Sequence, residues 1–189
     1  MSIPQDVFED MRHTCFRAWQ RALLSGFNGN ISLRKQHCCC VTRSGAAKGD
    51  LLPQDVVMVD VATGTVLAGT QPSSELPMHL AIYRAMPEVS ALVHTHPQHL
   101  LALELKVAHE DFLRLPIFEA ESLRQNLGFA PALPPGCQEL ADAVCTAQQH
   151  FQAVWLSQHG LVCRAADLRT ALALAEELDH LAAVQLLSL

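Results

Sequence analysis

The stretch Ala91-Leu92-Val93-His94-Thr95-His96-Pro97 constrains this chain more than any other. An apolar run enters two histidines at spacing i, i+2, and Pro97 stops it. Side chains alternate faces along a strand, so His94 and His96 project to one side and Thr95 to the other. Two imidazoles at the polar end of an apolar strand suit a first-row metal ion, Zn²⁺ above all. Ala153-Val154-Trp155-Leu156-Ser157-Gln158-His159-Gly160 repeats the pattern, an apolar strand ending in a histidine. Glu75, just after Pro72-Ser73-Ser74, adds a carboxylate. Together His94, His96, His159 and Glu75 would complete a tetrahedral site. In a chain with ten histidines, a lone one would be an ordinary loop residue; a paired strand end matched by a third is a metal-site pattern.

At 189 residues, positions 1–189 are expected to form one domain with a substantial core. Half the residues are apolar and only 17% are charged, so some apolar surface is expected to lie between subunits. No run reaches the roughly 18 uncharged apolar residues that span a bilayer. Met1–Asp6 carries neither a basic nor an apolar leader region, which predicts a cytoplasmic protein. Seven cysteines, an odd number with no C-x-x-C pair, argue against a disulfide framework or a zinc knuckle. Cys38-Cys39-Cys40 reads as a partly buried strand, since adjacent strand residues face opposite ways. A net charge of −6 disfavours nucleic acid and acidic membranes as partners. It leaves room for an anionic small molecule where local donors supply positive potential.

Taken in order, 4–24 reads as an amphipathic helix, with Val7, Phe8, Met11, Cys15, Trp19 and Leu23 at helical spacing. The turn-rich loop Gly26-Phe27-Asn28-Gly29-Asn30 leads to a strand, Ile31-Ser32-Leu33-Arg34. A second strand, 38–42, runs into Arg43-Ser44-Gly45-Ala46-Ala47-Lys48, which lacks Walker-loop spacing but combines a hydroxyl, glycine amides and a lysine as an anion cradle. Val56–Asp60 and 65–67 flank Ala62-Thr63-Gly64 as a hairpin. Ser73 or Ser74 is expected to cap a helix reaching about Met86, with Pro77 in its first turn and unpaired amides suited to phosphate. Beyond the histidine strand come a short helix over 97–105, a strand over 113–120, a helix over 138–151, a strand over 153–163 and a long Ala- and Leu-rich helix over 167–187. These elements predict an α/β fold, a three-layer α/β/α arrangement around a mainly antiparallel central sheet.

Assembled in this order, Gly29-Asn30-Ile31-Ser32, Thr42-Arg43-Ser44-Gly45, Pro72-Ser73-Ser74-Glu75, His94-Thr95-His96 and Gln158-His159-Gly160 resemble the class II aldolase/adducin family over nearly the whole chain. That family includes aldolases of the L-fuculose-1-phosphate type, a sugar-phosphate 4-epimerase, a methylthioribulose-1-phosphate dehydratase and the non-catalytic adducins. The resemblance implies a zinc ion on His94, His96 and His159, with Glu75 as acid/base and fourth-ligand candidate. It implies a phosphate pocket lined by Asn30, Ser44, Gly45, Ser73 and Ser74, and a homotetramer whose sites lie near subunit boundaries. Retro-aldol cleavage of a phosphorylated ketose through an enediolate is the activity expected; elimination of water, 4-epimerisation and an adducin-like scaffold are the alternatives. Two departures bear on the second proton-transfer group. The tyrosines used by fuculose-type aldolases have no counterpart, because Tyr83 is the sole tyrosine and no tail tyrosine follows before Leu189. Glu119 sits about where the dehydratase has its catalytic glutamate, although Glu119 and Glu121 read equally well as surface charges.

Overall fold

The computed structural model describes residues 2–189. Helix α1 (Gln5–Gln20) buries Val7, Phe8, Met11, Cys15 and Ala18 on one side. It stops at Gln20, short of the expected end, because Ala22 turns left-handed at φ 57. The N–H of Ala22 then donates to Trp19 O and that of Leu23 to Ala18 O, closing the helix as a Schellman motif.

Eight strands follow in one sheet: β1 (Asn30–Lys35), β2 (Cys38–Thr42), β3 (Val56–Asp60), β4 (Val66–Ala68), β5 (Ala91–Thr95), β6 (Leu127–Ala130), β7 (Ala153–Leu156) and β8 (Gly160–Ala165). Their spatial order is β4-β3-β2-β1-β5-β8-β7-β6. Every pairing is antiparallel except β6 with β7, which is parallel. The sheet is therefore mixed, though mainly antiparallel as expected.

The two faces carry separate apolar cores. One holds the inward side of α1 together with Leu100 and Leu103 of α3 (Gln98–Glu104), Ala120 of α4 (Phe118–Gln125) and Leu172 and Leu178 of α6 (Leu168–Ser188). The other holds Met78, Ile82 and Tyr83 of α2 (Leu76–Ala85) and Leu140, Ala141 and Val144 of α5 (Gln138–Gln148). The strands supply both by alternation: Trp155 faces the first core, Val154 and Leu156 the second. A strand buried on both faces reads as an unbroken apolar run, as Ala153–Leu156 does. Among the described residues no helix is long and apolar enough to cross a membrane.

Three expectations change. The stretch 113–120 is not a strand. Leu113 sits at φ 56, its N–H donates to Gln185 Oε1 of α6 at 2.6 Å, and α4 starts at Phe118. Pro116 has no N–H for a ladder, and Glu119 and Glu121 favour a helical first turn. The strand expected over 153–163 is two strands, β7 and β8, folded on each other by a tight turn that carries His159. Finally, the N-cap position of α2 is Glu75 and no side chain caps it; Ser73 Oγ instead accepts the Glu75 N–H at 3.2 Å.

The β1, β5 and β8 pairings bring three distant segments to one end of the sheet. Asn30 opens β1 directly across from His94 near the end of β5, and Thr95 faces Leu161 at the start of β8. Gly160 makes the approach possible: a Cβ there would press on Thr95 O, with His96 Cδ2 at 3.1 Å and His94 Cε1 at 3.2 Å. Gly160→Ala is expected to lower stability by about 1–3 kcal/mol, the usual cost of overpacking. It should also loosen metal retention, and urea denaturation together with metal titration of the variant checks both.

Candidate active site

His94 is fully buried on the α2/α5 side of the sheet, opposite Asn30. Its Nδ1 lies 3.1 Å from Leu161 O. A carbonyl only accepts, so Nδ1 carries the proton and the Nε2 lone pair faces the site. His96 follows the strand, its N–H bound to Leu23 O at 2.9 Å. From there Pro97 opens α3, whose first amides, His99 N–H and Leu100 N–H, donate to Asp179 of α6 at 3.0 and 3.3 Å. At the other end of α3, the Glu104 carboxylate accepts the Gln158 N–H at 3.0 and 3.2 Å and meets His109 Nε2 at 3.0 Å. Gln158 stands at φ 61, next to His159. Helix α3 is thus a strut between the segment bearing His96 and the turn bearing His159.

The three imidazoles converge. His94 Nε2 and His96 Nε2 are 3.2 Å apart, and the potential ligand atoms of His94, His96 and His159 all lie within 4.8 Å of one another. Glu75 completes the ring, with Oε2 at 3.1 Å from His94 Nε2 and Oε1 at 3.5 Å from His159 Nε2. The donor set fits a divalent cation. Two arms of about 2.0 Å at a tetrahedral angle end roughly 3.3 Å apart, close to the His94–His96 spacing. Glu75 Oε1 is buried with no hydrogen-bond partner, an arrangement that costs free energy unless a cation answers it.

Burial drives the His96 and His159 rings down to about 3 and about 4, with the neighbouring imidazole of His94 adding in both cases. Both therefore offer lone pairs at neutral pH. Glu75 behaves oppositely. Burial alone would raise its carboxyl, but His94, His159 and the Asn30 amide outweigh that and hold it well below the ordinary carboxylate range. Asn30 Nδ2 donates to Glu75 Oε2 at 2.8 Å.

Above the histidines lies a cleft of about 280 Å³. Asn30, Ser44, Gly45, Ser73, Ser74, Glu75, His96 and His159 all line it, joined by Phe27, Arg43, Lys48 and Pro135. Lys48 is buried, its Nζ donating to Phe27 O at 2.9 Å, and burial lowers its pKa. Pro135 belongs to the turn whose Gly136, at φ 79, lies against Ser74 O. Glu119 is exposed on the first turn of α4 and does not line the cleft. Tyr83 is fully buried and does not line it either.

Sequence reasoning missed the polar groups beneath the cleft. Ser32 and His79 are fully buried and joined to each other, Ser32 Oγ to His79 Nδ1 at 2.7 Å. A signal for both was present. Asn30 and Ser32 share a strand face at i, i+2, and Glu75, His79 and Tyr83 share a helix face at i, i+4, i+8.

Comparison with known proteins agrees with this geometry. Residues 9–186 match the family described as Class II Aldolase and Adducin N-terminal domain. An L-fuculose phosphate aldolase of Methanococcus vannielii is 34% identical over 168 residues, covering 89% of each chain. Its namesake from Escherichia coli K12 is 30% identical over 176 residues, 93% of this chain and 80% of that one. The crystal structure of L-fuculose-1-phosphate aldolase from Thermus thermophilus superposes with a TM-score of 0.85 over 98% of this chain and 95% of its own, at 24% identity, a likeness of fold. The chain belongs to the class II aldolase and adducin family. It is an enzyme of the class II aldolase type.

The buried histidines set an acid limit on the metal-free protein. An unfolded histidine protonates near 6.5, whereas burial holds His79 at about 4. Between those values the unfolded chain binds more protons, so stability is full above about pH 6.5 and falls as pH drops toward about 4. For fully buried His79 the difference is on the order of 3 kcal/mol. Urea denaturation of metal-free protein at about pH 7 and about pH 4.5 should show the loss, and His79→Gln should show a smaller one.

Proposed function

We propose that this protein is a zinc-dependent lyase that cleaves a phosphorylated ketose by retro-aldol reaction. The observation that carries the reading is the buried Glu75 carboxylate beside three converging imidazoles in a cleft lined by serines, a glycine loop and Lys48. His94, His96 and His159 would hold the ion, and nitrogen donors in this number favour zinc. When bound there, a divalent cation supplies Lewis-acid polarisation of the ketose carbonyl.

The remaining tasks fall to the chain. Ser44, Ser73, Ser74, the Gly45 loop and Lys48 line the cleft together. They can seat a phosphate and spend its binding free energy on orienting the carbons that part. Glu75, held as an anion, accepts the proton of the hydroxyl whose carbon becomes the aldehyde. It then returns a proton to the carbon left with the electron pair of the broken bond. Phe27 and Pro135 also line the cleft. An elimination reading needs Glu119 as base, and Glu119 stands outside this cleft, which favours cleavage.

The L-fuculose phosphate aldolases among the relatives support a 1-phosphorylated ketose as substrate, with an aldehyde and a ketotriose phosphate as products. Seven free cysteines suit the reducing cytoplasm. Exposed Phe16, Trp19 and Leu187, together with Phe27 at 68% exposure on the rim of the cleft, support a homotetramer with sites near subunit boundaries. Light scattering should then report four times the chain mass; a particle of one chain at micromolar concentration would remove the assembly.

Glu75→Gln keeps the shape and the Asn30 contact but cannot accept a proton. It should retain zinc on the three histidines and lose roughly 10²–10⁴-fold in turnover. Zinc-loaded wild type, screened against ketose 1- and 5-phosphates with product analysis, should release two fragments. A single dehydrated phosphate would establish elimination instead, and wild-type turnover in Glu75→Gln would exclude this carboxylate from proton transfer.

A further inference from the structure

Beneath the cleft runs a chain of five buried side chains. Tyr83 Oη lies 2.7 Å from Ser32 Oγ, Ser32 Oγ 2.7 Å from His79 Nδ1, His79 Nε2 2.5 Å from Asn30 Oδ1, and Asn30 Nδ2 2.8 Å from Glu75 Oε2. Tyr83, Ser32 and His79 are fully buried, and Asn30 and Glu75 are 4% and 6% exposed.

We propose that His79 is a positioning residue for Glu75: neutral, with its single proton on Nε2, it sets the direction of this whole chain and so aims the Asn30 N–H at the Glu75 carboxylate. The inference rests on the reading of Glu75 as the proton-transfer group. The direction follows link by link. The Asn30 amide turns its nitrogen to Glu75 and its oxygen to His79, and an amide oxygen only accepts. His79 must therefore donate from Nε2. A neutral ring then has only a lone pair on Nδ1, which takes the Ser32 O–H. The Ser32 oxygen is left to accept from the Tyr83 hydroxyl at 2.7 Å, nearer than that hydroxyl's other acceptor, Ser90 O, at 3.3 Å. Burial keeps the ring neutral, in agreement with this pattern. With the other tautomer, Nε2 would turn a lone pair on Asn30 Oδ1. The amide would have to flip and set its oxygen against the carboxylate. No hydrogen bond joins His79 to His94, His96 or His159, and its bonds run to Ser32 and Asn30, so its effect on the reaction passes through Asn30.

The test uses zinc-loaded full-length protein labelled with ¹⁵N-histidine. Long-range proton–nitrogen NMR should show His79 with a protonated Nε2 and a bare Nδ1; a protonated Nδ1 would overturn the proposal without any reference to substrate. For activity, His79→Gln offers an amide N–H near the place of Nε2, and His79→Leu fills the space without a donor. Both should bind zinc with wild-type stoichiometry. His79→Leu should lose roughly 10–100-fold in kcat with little change in KM, the scale on which support of an active group acts. His79→Gln should recover most of that loss. Equal kcat losses in the two variants would reduce His79 to a packing residue, and an unchanged kcat in His79→Leu would overturn the proposal. Should His79→Leu fail to fold, Ser32→Ala removes the donor to Nδ1 while leaving the ring. Nε2 should stay protonated in the same spectrum, because Asn30 Oδ1 fixes it from the Glu75 side, and a proton moved to Nδ1 would count against the directional chain. If no ketose phosphate is cleaved by wild type either, the retro-aldol reading fails while the tautomer measurement still decides the chain.

Discussion

A carboxylate placed almost out of water is costly, and Glu75 is such a carboxylate. Burying an isolated charge is unfavourable by several kcal/mol or more unless partners answer it. Here the Asn30 amide of β1 donates to one oxygen, while the imidazoles of His94 and His159 turn toward the same point and leave Oε1 for a cation to answer. Glu75 occupies the cap position of α2 without capping it; the carboxylate is turned into the site. Remove the site and this arrangement has no stabilising purpose.

The sheet is what lets those partners meet. Antiparallel pairing sets Asn30 against His94 and Thr95 against Leu161, so three segments far apart in sequence share one end of the sheet. Rigid supports then fix the loops beyond the strands. Asp179 holds the start of α3 and Glu104, at its end, holds Gln158. Two acidic side chains that do not line the cleft thereby support the segments that carry His96 and His159.

Helix α2 serves both layers of the design. Met78 and Ile82 belong to the apolar core beneath the sheet. Glu75, His79 and Tyr83, spaced four apart, form a polar stripe facing Asn30 and Ser32 on β1. The chain's one tyrosine is spent on that stripe, deep under the cleft, with the Tyr83 phenol pushed well above its ordinary pKa by burial. It lies outside the cleft and so does not stand in for the tyrosines whose absence the sequence already indicated.

Patterns confined to neighbouring residues were legible in the sequence. The i, i+2 histidines and the apolar stripe of α1 follow from strand and helix periodicity, the serine and glycine loops from the family resemblance. Together they pointed to three histidines that the fold brings together, to residues that line one cleft and to the layered α/β fold. Residues whose role depends on a partner far along the chain were not legible in that way. The apolar alternation of 113–120 suggested a strand, but the Gln185 side chain and Pro116 turn it into a loop and α4. Leu127–Ala130, short and interrupted by Gly128, becomes a strand only because β7 lies alongside it. His79 shows the boundary most clearly. Its spacing from Glu75 is written in the sequence, yet its tautomer and its purpose exist only once α2 is laid across β1. A hydrogen bond acquires a direction from both of its ends, and the fold alone brings those ends together.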